Sequence, residues 1–382
     1  MKAWPKRKIG ELLTRVKDDV QIDDFTTYGR ITIRMAGKGV TLRDRVIGSE
    51  IGTKRQFIAR SGQFVLSKID ARNGAFGVLP DDCDNAIVTG NFWVFDVDHT
   101  QLDSRFFNYL SKSPDFVAAC VVASDGTTNR RYLQEDAFLD MVVPTPDLTA
   151  QQALVARLDA LAEKTRQVEA HLDAVERDAE HLLALRFRDA IADAPLRPMA
   201  EVAPLVRREV VIDPEKSYTE LGVRSFYKGA FHRRTVPGSD FSWQDLYRVQ
   251  AGDLIFSNIM AWEQAIAIAQ PEDDGCVGNH RMLTCEANAD LAVPGFLWYY
   301  FTTEEGFAKI YAASPGTAAR NRTMTAPSLI AIEVTLPSLA VQQTFDRLQA
   351  EIAALKAKHT AIREANAALL PATLERVFAG NQ

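Results

Sequence analysis

Donor-rich side chains gather at a few points of this chain. Lys68, Arg72 and Asn73 lie within six residues of Ser67, and Thr127, Thr128, Asn129, Arg130 and Arg131 form an unbroken run. The second half offers Asn258, and then Arg320, Asn321 and Arg322. Guanidinium, ammonium and carboxamide groups reach the acceptor atoms on base edges, while hydroxyls and backbone amides hold phosphates. This is the chemistry of binding nucleic acid, with no bond made or broken. For the loop runs the alternative is a solvated turn. For Lys68 and Asn258 it is a strand-end residue satisfied inside its own domain, and Trp262 reads as core.

The groups that would carry catalysis are missing. The sequence has no G-x-x-x-x-G-K-[ST] phosphate loop, no glycine-rich strand-to-helix turn for a nucleotide cofactor and no G-x-S-x-G. It has no Asn/Asp-Pro-Pro-Tyr motif of an amino-methyltransferase, and no lysine is preceded two positions earlier by an acid, as a common metal-dependent nuclease site requires. The six histidines are scattered, with His171 and His181 on a helical stretch as surface or seam residues, so no metal site is expected. Cys83, Cys120, Cys276 and Cys285 form no C-x-x-C pair and read as reduced core thiols. The chain is therefore expected to be non-catalytic and to bind no cofactor.

The elements that position these groups repeat. Shifting the sequence by 190 residues brings Tyr28, Arg34, Lys38, Gly39 and Arg43 onto Tyr218, Arg224, Lys228, Gly229 and Arg233, and Val46, Gly48 and Ser49 onto Val236, Gly238 and Ser239. The register still holds at Gly62, Ser67 and Ile69 against Gly252, Ser257 and Ile259, and at Gly126-Thr127 against Gly316-Thr317. Each copy then closes on a proline-rich lead into Gln151-Gln152 or Gln342-Gln343 and a long helical pattern. Strand-like runs include Arg30–Arg34, Gln63–Leu66, Asn85–Thr89, Phe92–Phe95, Asp253–Phe256 and Ala265–Ile268. Arg105–Ser113 and Gly295–Thr302 read as helices. The expected organisation is a domain over 1–148, a long helix over 149–190, a second domain over 191–338 and a second long helix over 339–382.

Leu154, Leu161, Val168, Val175 and Leu182 recur every seven residues, interleaved with Leu158, Leu172 and Ala179, with Thr165 as a polar exception. Val341, Leu348, Leu355, Ile362 and Leu369 do the same, interleaved with Phe345 and Ile352 and then the polar His359 and Asn366. These are coiled-coil seams, and roughly 35 to 40 residues at 1.5 Å each span about 55 Å, more than a small domain can cover. The two helices are expected to pack on each other, antiparallel if the copies are related by a pseudo-twofold axis. Thr149 and Gln152 have capping-box spacing, and Pro371 should kink or break the second helix.

At 382 residues with 47% hydrophobic and 25% charged side chains, the composition is that of a soluble cytoplasmic protein of two or three domains, without a membrane span or secretory signal. The net charge of −6 is unusual for a DNA binder, but residues 1–72 hold 16 Lys+Arg against 8 Asp+Glu, while 148–195 is acidic on balance.

The stretch Gly62 to Gly77, the run Ile87 to Phe92, the Gly-Thr-Thr loop at 126–128 and the proline-rich lead into a long helix resemble one family, and Gly252–Ile259, Ala261–Glu263 and Gly278-Asn279 are their diverged counterparts. The chain resembles the DNA specificity subunit of type I restriction-modification systems over essentially its whole length. Gln151 and Gln342 stand where that family often has glutamate. The resemblance implies a mixed α/β (α+β) fold with two target-recognition domains in pseudo-twofold tandem repeat, separated by two long antiparallel helices forming a coiled coil. It implies double-stranded DNA as ligand, read as a two-part target. It also implies two methyltransferase subunits that bring S-adenosylmethionine, and a motor-nuclease restriction subunit. The competing reading is a duplicated protein-binding scaffold without DNA specificity.

Overall fold

The computed structural model describes residues 4–127, 130–241, 245–316 and 321–379, with the backbone alone at 127 and 130. The chain divides into two compact units, Met1–Leu172 with Thr360–Gln382, and Asp173–His359. Each unit thus holds one mixed α/β domain and a stretch of both long helices.

The two domains are built alike. In the first, a four-stranded antiparallel sheet has the order Leu13–Val16, Phe92–Val97, Phe64–Ser67, Phe76–Val78. The second repeats it with Leu205–Val206, Met282–Cys285, Leu254–Ser257 and Ile266–Ile268. A second sheet carries the hairpin Thr27–Arg34 with Gly39–Ile47, matched by Ser217–Val223 with Ala230–Pro237. Both hairpins slip register at the same point, after Arg30 and after Glu220, which are 190 residues apart. Apolar residues on the inner faces meet short helices: Phe64 and Phe76, stacked on each other, meet Phe107 and Phe116 edge-on in the first domain, and Phe256 meets Phe301 edge-on in the second.

The residues that match across the repeat hold this frame. The Tyr28 and Tyr218 hydroxyls accept the backbone N–H groups of Asp23 and Asp213 at 3.0 and 2.9 Å. Gly48 and Gly238 lie against the carbonyls of those same aspartates, leaving no room for a Cβ. All four cysteines are free and buried, and burial pushes the thiols of Cys120 and Cys285 up to about 12.

The long helices run Leu148–Ile191 and Leu339–Ala379. The first is capped by Asp147, whose carboxylate accepts the Ala150 N–H at 2.9 Å, and not by Thr149; a short acceptor directly after Pro146 reaches the first turn better than a residue already inside it. Within the first unit the helices pair antiparallel: Asn366 Nδ2 donates to the Thr165 carbonyl at 3.0 Å and to Glu169 Oε1 at 2.9 Å, and Arg363 lies 3.3 Å from Glu169. Within the second unit His359 Nδ1 meets Glu176 at 2.9 Å, Lys356 meets Glu180 at 2.6 Å, and Phe187 packs on Phe345.

The interleaved row of the seam is buried as expected, while the leading row is turned about one residue from its expected phase. Leu158, Leu172, Phe345 and Ile352 are buried as expected, with His359 and Asn366. Leu154, Leu161, Val175, Leu348 and Leu355 are half-buried, but Val168, Leu182, Val341, Ile362 and Leu369 are 38–48% exposed. The positions that turn inward are those of Val155, Ala162, Glu169, Glu176 and Leu183. The reason is visible in the contacts. Glu169 and Glu176 each find donors on the second helix, so the pair encloses satisfied polar groups and leaves an apolar row outside.

Pro371 does not end the second helix. Its last turns are anchored: Leu374 and Phe378 are buried in the core of the first domain, and the Phe378 ring sits edge-on to Trp4 and Phe106. Burying two large side chains, at about 1.5–3 kcal/mol each, offsets the roughly 3 kcal/mol that an internal proline costs.

Candidate nucleic-acid interface

In the first domain the strand Phe64–Ser67 delivers Lys68 to a junction. The Lys68 N–H donates to the Asn91 carbonyl at 3.0 Å and its own carbonyl accepts from Leu133 at 2.8 Å. The residue is thereby clamped between the 89–92 turn and the hairpin made by Ser124–Thr127 and Arg130–Leu133. Its ammonium lies 5.9 Å from the Tyr132 ring centre, and Arg131 on the same hairpin is exposed. A single helical turn, Ala71–Asn73, follows, closed by Gly74 at φ 74°. Arg72 is half-buried there, and Asn73 is exposed with its carbonyl accepting from Ala36 at 2.7 Å. Lys68 is therefore brought to the hairpin that carries Arg131, against the Tyr132 ring next to it in the strand. Thr128, Asn129 and Arg320 lie outside the described residues, as do the side chains of Thr127 and Arg130.

The second domain repeats the junction with other side chains. The Asn258 N–H donates to the Arg281 carbonyl and its carbonyl accepts from Met324, both at 2.8 Å, while its Oδ1 is buried without a hydrogen-bond partner. Asn321 is exposed. Arg322 is occupied in its own domain, donating to the Ser314 carbonyl at 3.0 Å and lying over Tyr311 at 3.9 Å. Trp262 donates its indole N–H to the Ile259 carbonyl at 2.8 Å and is half-buried.

Sequence reasoning passed over the hairpin beside each junction. A pocket of 420 Å³ in the second domain is lined by Glu220, Arg233, Ser257, Asn279 and Arg281. The corresponding hollow of the first domain, 230 Å³, is lined by Arg30, Arg43 and Thr89 among others. Arg30 makes a two-pronged bond to Asp44, both arms at 2.7 Å, and this holds the Asp44 carboxyl below the usual range. In the second domain Glu220 accepts from Arg233 at 3.2 Å and Arg234 at 2.9 Å. The signal was present: Arg43 and Arg233 match in the repeat, but arginines on a strand read as an ordinary solvated face until the hairpin curls them into a hollow.

Among the described residues no group of His, Cys, Asp and Glu could hold a metal ion, and no helix is long and apolar enough to cross a membrane. The arrangement offers fixed donors on a concave surface, which suits recognition.

No protein-family model matches the sequence, and no curated protein matches it. Solved structures do. The HsdS subunit from Thermoanaerobacter tengcongensis aligns over 100% of this chain and 98% of its own, at 17% identity and a TM-score of 0.62. A chain from a structure of the type I restriction-modification system, concerned with complex assembly and conformational transition, aligns over 100% of this chain and 99% of its own, at 19% identity and a TM-score of 0.69. This chain has the fold of a type I specificity subunit. The likeness runs end to end, so it takes in both domains and both long helices of the specificity-subunit fold. At such identities it is a likeness of fold, and it assigns no role to the rim residues described above.

Proposed function

We propose that this chain is the non-catalytic DNA-reading subunit of a type I restriction-modification complex. Each domain reads one half of a two-part sequence in double-stranded DNA, and the helices set the unread gap between the halves. One observation carries the reading: two domains share a frame down to Tyr28/Tyr218 and Gly48/Gly238, yet their rims differ, with Lys68 against Asn258, Arg30 against Glu220 and Asn91 against Arg281. A duplicated enzyme would preserve reactive groups and let the frame drift. A pair of readers preserves the frame and varies the groups that reach the bases.

The exposed apolar rows on the helices support partner docking. Val168, Ile362 and Leu369 in one unit, and Leu182 and Val341 in the other, are 38–48% exposed. We assign these rows to two methyltransferase subunits, which supply S-adenosylmethionine and the chemistry; a motor-nuclease subunit completes the complex. Because half-sites on one face of B-DNA recur about every 34 Å, a rigid helical pair can fix their separation.

The test is methylome sequencing of cells that carry this chain with its methyltransferase. The expected result is a two-part motif whose gap changes, with both halves intact, when four residues are inserted into the first long helix. A continuous motif, or an unchanged gap, would refute the reading. Mobility shift on random DNA at low salt separates it from a protein-binding scaffold, which would leave the DNA unshifted with or without the methyltransferase.

A further inference from the structure

The two domains carry an ion pair of opposite polarity at one point of one hairpin. Arg30 and Asp44 are cross-strand partners beside the register slip; 190 residues on, Glu220 and Arg234 take their places. The exchange changes what each hollow offers to a ligand. In the first domain both arms of the Arg30 guanidinium are spent on Asp44. In the second, Glu220 is 7% exposed and lies beneath Arg233 and Arg234, whose side chains are 63% and 47% exposed. Each of these arginines gives one nitrogen to Glu220, Nη1 from Arg233 and Nε from Arg234.

A buried carboxylate below an exposed guanidinium is a device for aiming it. Long flexible side chains lose rotamer entropy on binding, and a charge-assisted bond made beforehand lowers that loss. Arg281 lines the same hollow from the other side and is exposed. Asn279 Oδ1 accepts the Arg281 backbone N–H at 3.0 Å, which fixes the turn that carries it. The first domain has asparagine, Asn91, at the position of Arg281. Two guanidinium groups converging on one concave surface match an acceptor pair on a base edge, and guanine O6 with N7 is the pair that arginine reads best.

We propose that Arg233 and Arg281 read guanine in the half-site bound by the second domain, with Glu220 as the positioning residue that aims Arg233. The assignment rests on the DNA-reading function proposed above. The first domain keeps Arg43 at the place of Arg233, likewise bonded to a carboxylate, Asp44, but has Asn91 in place of the second arginine, and so offers its half-site a different pair of groups.

Three variants test it in the methylome assay: R233A, R281A and the double exchange E220R/R234D, which installs the polarity of the first domain and so preserves a pair that this hairpin accommodates. The expected result is a guanine, or its paired cytosine, specified in one half of the wild-type motif. All three variants relax that base by roughly 5- to 150-fold, the range of one good arginine contact. The other half stays unchanged and serves as a folding control within the same molecule. Variants that keep the wild-type motif in both halves overturn the assignment and leave the DNA-reading function standing. Uniform weakening at every sequence, without a change in base preference, marks a phosphate contact and also overturns it. A wild-type chain that yields no two-part motif overturns both.

Discussion

Gln151 should contribute substantially to the stability of the first unit, and the size of its contribution can be worked out. Its side chain is completely buried. The Oε1 atom accepts from the Asp103 backbone at 2.8 Å, and Nε2 donates to the carbonyls of Gln101 at 2.9 Å and Pro146 at 2.7 Å. One carboxamide thus ties the start of the long helix to the loop that opens the helix Ser104–Leu110. Replacing it with alanine strands one N–H and two carbonyls in the interior. At about 1 kcal/mol net per hydrogen bond, Gln151→Ala should cost about 3 kcal/mol, and more if water cannot enter. Near the melting temperature this is about 6–12 °C for a unit of this size. Gln151→Met separates the polar contribution from packing, because it fills the space without making the bonds. It should remain within about 1 kcal/mol of the alanine variant. Urea unfolding followed by circular dichroism measures both. A loss below about 1 kcal/mol for alanine, or full recovery by methionine, would refute the reasoning. Gln342 makes the same three bonds, to Val293, Leu291 and Pro337, in the second unit, so Gln342→Ala should destabilise that unit by a similar amount.

Other consequences can be measured directly. Phe378→Ala should cost about 3–5 kcal/mol in urea unfolding, because the ring is buried against Trp4 and Phe106; a near-neutral result would show that the end of the second helix is not anchored there. Asp44 has its carboxyl held low by Arg30, so the stability it adds is present above the unfolded Asp value of about 4 and lost as pH falls through the folded value. Wild type should therefore exceed Asp44→Asn at pH 7, with the gap closing towards pH 3; urea midpoints at pH 7, 5 and 3 check this, and a gap independent of pH contradicts it. Placing glutamate at Ile362 and Leu369 together should leave the melting temperature nearly unchanged and abolish co-purification with the methyltransferase.

The sequence showed most of the frame and least of the surface. The strands at Phe64–Ser67 and Phe92–Val97 and the helix Pro294–Thr302 were legible because apolar runs of the right length end at turn residues. The pairing of Thr27–Arg34 with Gly39–Ile47 was not, since its outward positions carry Arg30, Arg43 and Asp44, which look like solvated charge until the cross-strand partner is known. Lys68 was singled out because it follows a matched serine. Arg281 was not singled out because no other lysine or arginine stands near it in sequence; Arg233, which lines the same hollow, comes from a strand 48 positions earlier.

The phase of the helices teaches a different lesson. Heptad reasoning assumes that the most apolar row faces the partner helix, which holds when two helices exhaust each other's apolar surface. Here each helix carries two rows at heptad spacing. One faces inward and is mixed, taking in Leu158 and Leu172 with Glu169 and Glu176 from the row beside them on the first helix and Ile352, His359 and Asn366 on the second, and its polar members satisfy one another across the seam. The other, from Val168 and Leu182 to Ile362 and Leu369, is apolar and left open. A seam of this composition is specific more than it is strong. Asn366 has its amide bonds only when opposite Thr165 and Glu169, and a slip of one turn would bury it unsatisfied, at a cost of about 1–3 kcal/mol. Polar groups inside fix the register, and so, under the proposed function, the spacing between half-sites. The apolar surface that could have strengthened the pair is instead held outside, where a further subunit can cover it. On this argument Asn366→Leu should raise the melting temperature of the helix pair while loosening its register. In the methylome assay the loosened register should appear as more than one gap length, and a single unchanged gap would show that the polar seam does not set the spacing.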